Sequence, residues 1–252
     1  MKISFIIPFH NEEKNCIPML KRVAEYSEKK RYDYEIVPVD DRSSDHTKDL
    51  IADFAKTNNH IHPVFRKKSG QECGNTMGSA LIEGTNKSQG DLIIWTMGDL
   101  ADDTKTYGEI IDKLNHGYDM VFGSRYMPGG SRGNLDPVKA FLSSWGTRLA
   151  RLIFDIPVHD ITNAFRGFNR RVFKSIKLNS SGFSISPEFA LKTHLSGYKL
   201  GEVPTVYTNR TQGVSSFKVY RMARNYLTLY GSLFYYYKLH SHKLKKYSKQ
   251  LE

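Results

Sequence analysis

The sequence predicts an α/β fold with a mostly parallel central sheet flanked by helices. Short, nearly continuous apolar runs alternate with longer charged, amphipathic stretches, and strands buried on both faces of a parallel sheet have this continuous apolar character. The 252 residues, 39% hydrophobic and 25% charged, are typical of a globular chain that is long enough to bury a core. Disordered proteins and polytopic membrane proteins are therefore disfavoured.

The predicted elements alternate along the chain. The first strand covers residues 3–7 and ends at Pro8, and an amphipathic helix follows within 12–30. Further strands are predicted at 35–39, 61–65, 91–96 and 118–122, with helices from Ser44 or Asp45 to about Lys56, at 73–85 and at 107–115. The glycine-containing stretch 123–136 is predicted to be the most mobile loop. Ligands of such sheets lie beyond the carboxyl ends of the strands, so functional side chains are expected in the turns there.

The sequence divides into a body at 1–216 and a predicted amphipathic helical tail at 217–252. The tail has eight basic residues and one acidic residue, which gives it +7 of the net charge of +11, and seven of the fifteen tyrosines. Its uncharged stretch 226–237 is shorter than the roughly 20 residues that span a bilayer. This composition favours a helix lying in a membrane interface. A helix packed on the body with a solvated basic end is the alternative.

Several classes of site and partner are disfavoured by missing signals. Two cysteines, Cys16 and Cys73, are too few for a disulfide framework, and the apolar run 3–9 is too short for a secretory leader. We therefore expect a cytoplasmic protein. The sequence has neither a dinucleotide-binding glycine motif after its first strand nor a P-loop, and no zinc-type His/Cys spacing. Nucleic acid is not an expected partner, because the basic residues belong to no known binding motif.

Acidic residues cluster after two predicted strands. Asp40 and Asp41 follow the second strand, and Asp99, Asp102 and Asp103 follow the fourth. In a parallel sheet both clusters reach the same edge. Mg²⁺ and Mn²⁺ prefer oxygen ligands and commonly share coordination between carboxylates and substrate phosphates. Acidic turns can also be plain turns or helix caps, but their repetition at two strand ends favours a site for a metal and a nucleoside diphosphate.

These turns resemble those of glycosyltransferase family 2 enzymes, which have the GT-A fold. The resemblance starts from PFHNE at 8–12, VDDRSSDHT at 39–47 and MGDLADD at 97–103. It continues, in the manner of the polyprenol or dolichol phosphate mannosyltransferase branch, through GSRY at 123–126, DITNAFRGF at 160–168, EVP at 202–204 and the stretch 209–218. The order and spacing of these segments are more specific than any one of them, and the likeness extends to about Lys218.

The resemblance implies a role for each matching residue. Contacts to the nucleoside are implied for Pro8, Glu12, Asp40 and Asp41. The metal motif of the family normally has two aspartates around one residue. In this sequence Met97 takes the first position and leaves Asp99, while Ala101 replaces a common polar ligand. We therefore expect Asp102 or Asp103 to compensate in holding Mg²⁺ or Mn²⁺.

When a sugar is transferred from a nucleotide sugar, negative charge grows on the nucleoside diphosphate as it departs. Basic residues are expected to stabilise this charge. Arg125, Arg210 and Lys218 are the predicted phosphate contacts. Lys139 flanks the same loop as Arg125, and the two are expected to clamp donor and acceptor phosphates. The acceptor site is predicted to include Lys139, Asn163 and Arg166, with an internally hydrogen-bonded turn as the alternative for the run 160–166.

The predicted function is that of an inverting hexosyltransferase that uses GDP-mannose or UDP-glucose and a polyprenyl or dolichyl phosphate acceptor. A phosphate monoester is mostly dianionic at neutral pH and needs little help from a base. A hydroxyl acceptor on a glycan would need one, and Glu188 is the candidate, unless it is only a first-turn acid of a helix. A silent nucleotide-sugar-binding module is a third reading. We expect a peripheral protein at the cytoplasmic membrane face, held there by its tail or by a membrane-anchoring subunit.

Overall fold

The computed structural model describes residues 1–67, 76–208 and 219–248. The strands are β1 (Ile3–Phe9), β2 (Tyr34–Asp40), β3 (Val64–Phe65), β4 (Leu92–Trp95), β5 (Met120–Ser124), β6 (Arg166–Asn169) and β7 (Leu200–Pro204). The helices are α1 (Cys16–Lys29), α2 (Thr47–Lys56), α3 (Met77–Lys87), α4 (Lys105–Asn115), α5 (Pro137–Phe154), α6 (Arg170–Ser175), α7 (Ile185–Leu195) and α8 (Val219–Ser248).

The strands form one sheet in the order β3-β2-β1-β4-β6-β5-β7. Strand β6 is antiparallel to both of its neighbours, β4 and β5, and the other pairs are parallel. The predicted mostly parallel α/β sheet is therefore confirmed. Strand β6 begins at Arg166, the last residue of the run 160–166, for which a pocket or a turn was predicted.

The ends of some elements differ from the prediction. Strand β1 continues through Pro8, because its pairing with β4 ends at Ile6 and the proline lies beyond that ladder. The residue before α2 is His46, and Asp45, one position earlier, caps the first turn by accepting from the Thr47 amide at 3.1 Å, as predicted. The third strand is shorter than predicted, and Ile61 makes only an isolated bridge to β2.

Apolar side chains cover both faces of the sheet. One core centres on Trp95 and Phe168, and the other on Phe5 and Tyr107. Helix α3 packs closely on the face of the sheet that carries Trp95. A Cβ on Gly84 would lie only 2.6 Å from side-chain atoms of Ile6 and Val39. Burial on both faces explains why the strand sequences are continuously apolar.

The first half of α8 belongs to this core. Met222, Tyr226, Tyr230 and Leu233 are buried on the face of α8 that packs against α5, and the hydroxyl of Tyr230 donates to the main-chain oxygen of Gly146 at 3.0 Å. This half of the predicted tail is thus a helix packed on the body. No helix in the described ranges is both long and apolar enough to cross a bilayer.

Glu35 is a buried carboxylate at the opposite end of the strands. It accepts hydrogen bonds from the Ser4 hydroxyl and from the amides of Gln89 and Gly90, and it lies 3.4 Å from the Lys2 ammonium. Burial alone would raise the pKa of Glu35, but these hydrogen bonds and Lys2 lower it below its usual value. Glu35 therefore stabilises the fold in its ionised form.

Replacing this charge is expected to destabilise the protein in a pH-dependent way. Glu35→Gln keeps the shape but removes the charge, so we expect a loss of about 2 kcal/mol at pH 7. The folded pKa is depressed, so the contribution is fully present above the unfolded pKa of about 4.3 and disappears as the pH falls through the folded pKa. Urea unfolding at pH 7 and pH 3.5 measures this. Glu25→Gln, on the exposed side of α1, is the control. An equal loss at both pH values would contradict the prediction.

Candidate active site

The carboxyl ends of β1, β2, β4 and β5 meet at one edge of the sheet. The turns there contain three non-glycine residues in the left-handed region: Asn11 at φ 57°, Arg42 at φ 61° and Leu100 at φ 63°. Side chains other than glycine seldom adopt this conformation, and such strain concentrates at functional sites. Arg22, in α1, stabilises the turn at Leu100, because its guanidinium donates to the main-chain oxygen of Leu100 at 3.1 Å.

A cavity of about 340 Å³ opens at this edge. Because β6 separates β4 from β5, these two strands lie about 10 Å apart, and residues after each of them reach the cavity. Four residues predicted for the site line it together: Asp99, Arg125, Lys139 and Asn163. The structure thus brings a carboxylate and two cations to one cavity.

Arg125 is tied to a buried carboxylate. Its Nε and Nη2 donate to the two carboxylate oxygens of Asp160 at 2.7 and 3.1 Å, and Nη2 also donates to Thr162. Asp160 is fully buried. Burial would lower the pKa of Arg125, but the Asp160 charge raises it above its usual value. Among the described residues Nη1 has no partner, so the guanidinium is fixed in direction while one nitrogen stays available to a ligand.

The turn after β4 places two carboxylates side by side. Asp99 lines the cavity and accepts a hydrogen bond from the amide of Ala101 at 3.2 Å. Asp102 lies behind it and accepts from the Thr96 hydroxyl and the Met97 amide, both at 2.9 Å. Burial, followed by repulsion from Asp99, raises the pKa of Asp102 to about 7.

A divalent cation in the cavity would be held by Asp99, with Asp102 behind it and outside the cavity lining. No cluster of three or more metal-ligating side chains occurs in the part of the chain that the structure describes. A cation such as Mg²⁺, however, is commonly held by one or two carboxylates together with substrate phosphates. Burial is the larger cause of the raised pKa of Asp102 and the Asp99 charge the smaller one, and a cation bound at Asp99 would offset only the second. Asp103 does not line the cavity. Its carboxylate accepts from the Lys105 amide at 2.9 Å in the first turn of α4.

The predicted nucleoside residues lie along the same edge, outside this cavity. Asp41 accepts from the amide and hydroxyl of Thr76 at 2.8 and 2.9 Å and from the Arg66 guanidinium at 2.5 Å. Asp40 accepts from the Ser43 amide at 3.4 Å. Glu12 accepts from the Asn15 amide group at 2.6 Å, and Pro8 lies within β1. These contacts order the turns after β1 and β2.

Two predicted site residues lie inside the protein instead. Arg166 is fully buried in the sheet, where it donates to the main-chain oxygens of Ile161, Asn163 and Ser186, and it does not line the cavity. Burial lowers the pKa of Arg166 to about 9. Arg166 therefore holds the turn before β6. This arrangement matches the internally hydrogen-bonded turn that was the alternative for the run 160–166.

Glu188 is also directed away from the cavity. Its carboxylate accepts from the amides of Asn179 and Ser180 at 2.9 and 2.7 Å and from the Lys192 ammonium at 2.5 Å. Burial would raise the pKa of Glu188, but these hydrogen bonds lower it. Glu188 is in the first turn of α7, as its alternative reading proposed. Arg210 and Lys218, the other predicted phosphate contacts, lie outside the described residues.

Sequence reasoning missed the contribution of α8 to the cavity. Met222 and Tyr226 line it from the buried face of that helix. The spacing of residues 222, 226, 230 and 233 is the periodicity of an amphipathic helix with one buried face, and this signal was present in the sequence. Asp136 was also missed. It lines the cavity and caps α5 by accepting from the amides of Val138 and Lys139.

Proteins of similar sequence include three whose names combine a sugar with dolichol, polyprenol or bactoprenol. The chain is 28% identical over its whole length to the dolichol-phosphate mannosyltransferase of Pyrococcus furiosus and spans 66% of that protein. It is 27% identical to the polyprenol monophosphomannose synthase of Mycolicibacterium smegmatis, over 83% of this chain and 78% of that one. It is 30% identical to the bactoprenol glucosyl transferase of Shigella phage SfX, over 88% of this chain and 69% of that one.

Solved structures of similar fold include the glucosyl-3-phosphoglycerate synthase of Mycobacterium tuberculosis. In its complex with Mn²⁺, UDP and phosphoglyceric acid it aligns with a TM-score of 0.69 at 16% identity, over 92% of this chain and 78% of that one. The same enzyme has been crystallised with Mg²⁺ and UDP, and that structure aligns with a TM-score of 0.67 at 14% identity over 90% and 77%. At such identities the likeness concerns the fold, and it agrees with the predicted GT-A architecture.

The sequence model described as "Glycosyl transferase family 2" matches residues 4–177. This range runs from β1 to just beyond α6 and so includes the turns that carry Asp41, Asp99, Arg125 and Asp160. The match confirms the resemblance found in the turn motifs, and the chain belongs to glycosyltransferase family 2.

Proposed function

We propose that the protein transfers a hexose, with inversion, from a nucleotide diphosphate sugar to a polyprenyl or dolichyl phosphate. The observation that carries the proposal is the meeting of Asp99, Arg125 and Lys139 in one cavity at the carboxyl edge of the sheet. Two phosphorylated substrates need cations, and the donor diphosphate gains charge as it departs. Arg125, fixed by Asp160, is suited to bind that charge without reorganisation.

The cavity favours a phosphate acceptor over a hydroxyl acceptor. A hydroxyl would need a carboxylate base within hydrogen-bond reach. The candidate Glu188 is bound to Asn179, Ser180 and Lys192 instead, and of the carboxylates that line the cavity, Asp99 is the proposed cation ligand and Asp136 caps α5. A phosphate monoester is already mostly dianionic and is attracted by Lys139 and Arg125. Asp99, with Asp102 behind it, would hold Mg²⁺ or Mn²⁺, which supplies Lewis-acid stabilisation of the leaving diphosphate.

The relatives support the same substrate classes. Two are named for transfer of mannose to dolichol or polyprenol phosphate, and one is named for transfer of glucose to bactoprenol. GDP-mannose and UDP-glucose are accordingly the two donors to test first. Incubation of the full chain with each donor and a short-chain polyprenyl phosphate, with and without Mn²⁺, tests the proposal. We expect a glycosylated lipid phosphate, and binding of a donor without any transfer would instead indicate a silent binding module.

Exposed apolar side chains on α5 and α8 support a peripheral position on a membrane, and we propose the cytoplasmic face. Phe141 and Trp145 on α5 are 58% and 53% exposed, and their ring centroids lie 5.8 Å apart. Leu227 and Phe234 on α8 are exposed as well. Helix α5 also supplies Lys139 to the cavity, so adsorption of this surface would place the cavity near lipid headgroups.

We expect Phe141→Ser combined with Trp145→Ser to reduce binding to vesicles of anionic phospholipid by roughly tenfold, because interfacial binding scales with buried apolar area. Flotation measures this. Leu50→Ser, on the partly exposed face of α2, is the control. Truncation at Lys218 is unsuitable, since it would remove the buried half of α8. Equal flotation of the double variant and the control would exclude this surface from membrane binding.

A further inference from the structure

Ser186 has an unpaired hydroxyl in the wall of the cavity. The residue is 1% exposed, it lines the cavity, and its Oγ has no hydrogen-bond partner among the described residues. A buried hydroxyl without a partner reduces stability, so most buried hydroxyls are paired. Because Ser186 lines the cavity, a ligand bound there is where its hydroxyl can obtain the missing partner.

The position of Ser186 is fixed by its neighbours. The residue lies in the first turn of α7, and Arg166 donates from Nη1 to its main-chain oxygen at 2.8 Å. Arg166 also donates to the main-chain oxygens of Ile161 and Asn163. The buried guanidinium therefore joins the start of α7 to the turn that carries Asn163, and it fixes the main chain of Ser186 relative to the cavity.

A neutral partner suits Ser186. Its hydroxyl carries no charge, and Phe183, Met77 and Ala164, which line the same cavity, do not compensate an ionic charge. Phosphate groups would be drawn to Arg125 and Lys139. A serine hydroxyl both donates and accepts, which matches the hydroxyl group of a saccharide.

We propose that Ser186 binds a hydroxyl of the transferred hexosyl group and contributes to the choice of sugar. This inference rests on the proposed function, because it assumes that the cavity receives a nucleotide sugar. A site that is built to pair with a substrate hydroxyl discriminates strongly against a sugar lacking it. Glu188, two residues later, is a structural acid of the same helix turn, and Ser186 is the residue through which this turn would contact substrate.

The test is the gain in affinity that the sugar provides. Calorimetry with GDP, GDP-mannose, UDP and UDP-glucose gives the ratio of dissociation constants between each nucleotide and its sugar conjugate. We expect Ser186→Ala to reduce this ratio about fivefold, as befits one neutral hydrogen bond, without changing the affinity for the bare nucleotide. The melting temperature should not fall, because the substitution removes an unpaired group.

Thr193 provides a matched control on the same helix. Its Oγ1 is likewise buried and unpaired among the described residues, but Thr193 does not line the cavity. Thr193→Val should leave the affinity ratio unchanged. Donor analogues that each lack one sugar hydroxyl then identify the group that Ser186 binds. The wild-type protein should bind one of these analogues more weakly than the complete donor. Ser186→Ala should bind that analogue and the complete donor with equal affinity.

The outcomes separate this inference from the proposed function. If the wild-type protein transfers sugar while Ser186→Ala behaves like Thr193→Val, the function stands and the role of Ser186 is wrong. If Ser186→Ala raises only the KM for the lipid phosphate, the sugar assignment is wrong. If the wild-type protein binds neither nucleotide sugar, the proposed function and the inference both fail.

Discussion

Asp99→Asn is expected to lower kcat/KM for sugar transfer about 1,000-fold, the largest loss of activity that we anticipate. Asp99 is the carboxylate of the β4 turn that lines the cavity, and the substitution removes its charge with little change in size. Stabilisation of the leaving diphosphate by a held cation amounts to several kcal/mol, and each 1.36 kcal/mol is a factor of about ten. The variant should also bind Mn²⁺ more weakly in the presence of nucleotide.

Asp103→Asn is the matched comparison for this experiment. Asp103 carries the same charge four residues later, but its carboxylate accepts from the Lys105 amide and does not line the cavity. We expect near wild-type transfer and unchanged Mn²⁺ binding. Full activity of Asp99→Asn in the presence of a chelator would exclude a metal role for Asp99, and a large loss in Asp103→Asn would restore Asp103 as a ligand.

Arg125→Ala is expected to destabilise the protein by about 3–5 kcal/mol, the largest stability effect that we anticipate. Arg125 forms a bidentate pair with Asp160, whose side chain has no exposed surface. Removal of one partner leaves the other charge buried and uncompensated. Arg125→Lys keeps the charge but loses the planar double contact, so it should be more stable than the alanine variant and still lose about 100-fold in kcat/KM.

A second arginine–aspartate pair gives the control. Arg171 donates to Asp119, but its side chain is 70% exposed. Pairs of this kind contribute about 0–1 kcal/mol, and Arg171→Ala should therefore cost less than about 1 kcal/mol. Denaturant unfolding of the three variants compares the sites directly. If Arg125→Ala were no less stable than Arg171→Ala, the Asp160 pair would not be the constraint described above.

The part of the site that follows strands of regular pattern could be predicted from the sequence. The apolar runs that became β4 and β5 place Asp99 and Arg125 just beyond their carboxyl ends, and parallel strands bring those ends to one edge. The meeting of these residues in one cavity follows from strand order and direction. No long-range side-chain contact had to be known.

Arg166 and Glu188 could not be assigned in this way. Each was predicted from its residue type within a motif, yet the role of each depends on main-chain groups that fold against it: three carbonyl oxygens around Arg166 and two amides around Glu188. Strand β6 was missed for a related reason. It has four residues and pairs with two strands that are distant in sequence, so its own sequence carries little periodicity.

The antiparallel strand β6 also has a consequence for synthesis of the protein on the ribosome. Strand β4 is complete at Trp95, but β6, its neighbour on the side away from β1, ends only at Asn169, 74 residues later. At about 5–20 residues per second, translation leaves that edge of β4 unpaired for roughly 4–15 s. An uncovered apolar edge is a template for aggregation. Nascent chains that stall between these two points should therefore bind chaperones more strongly than chains released after β6 has emerged.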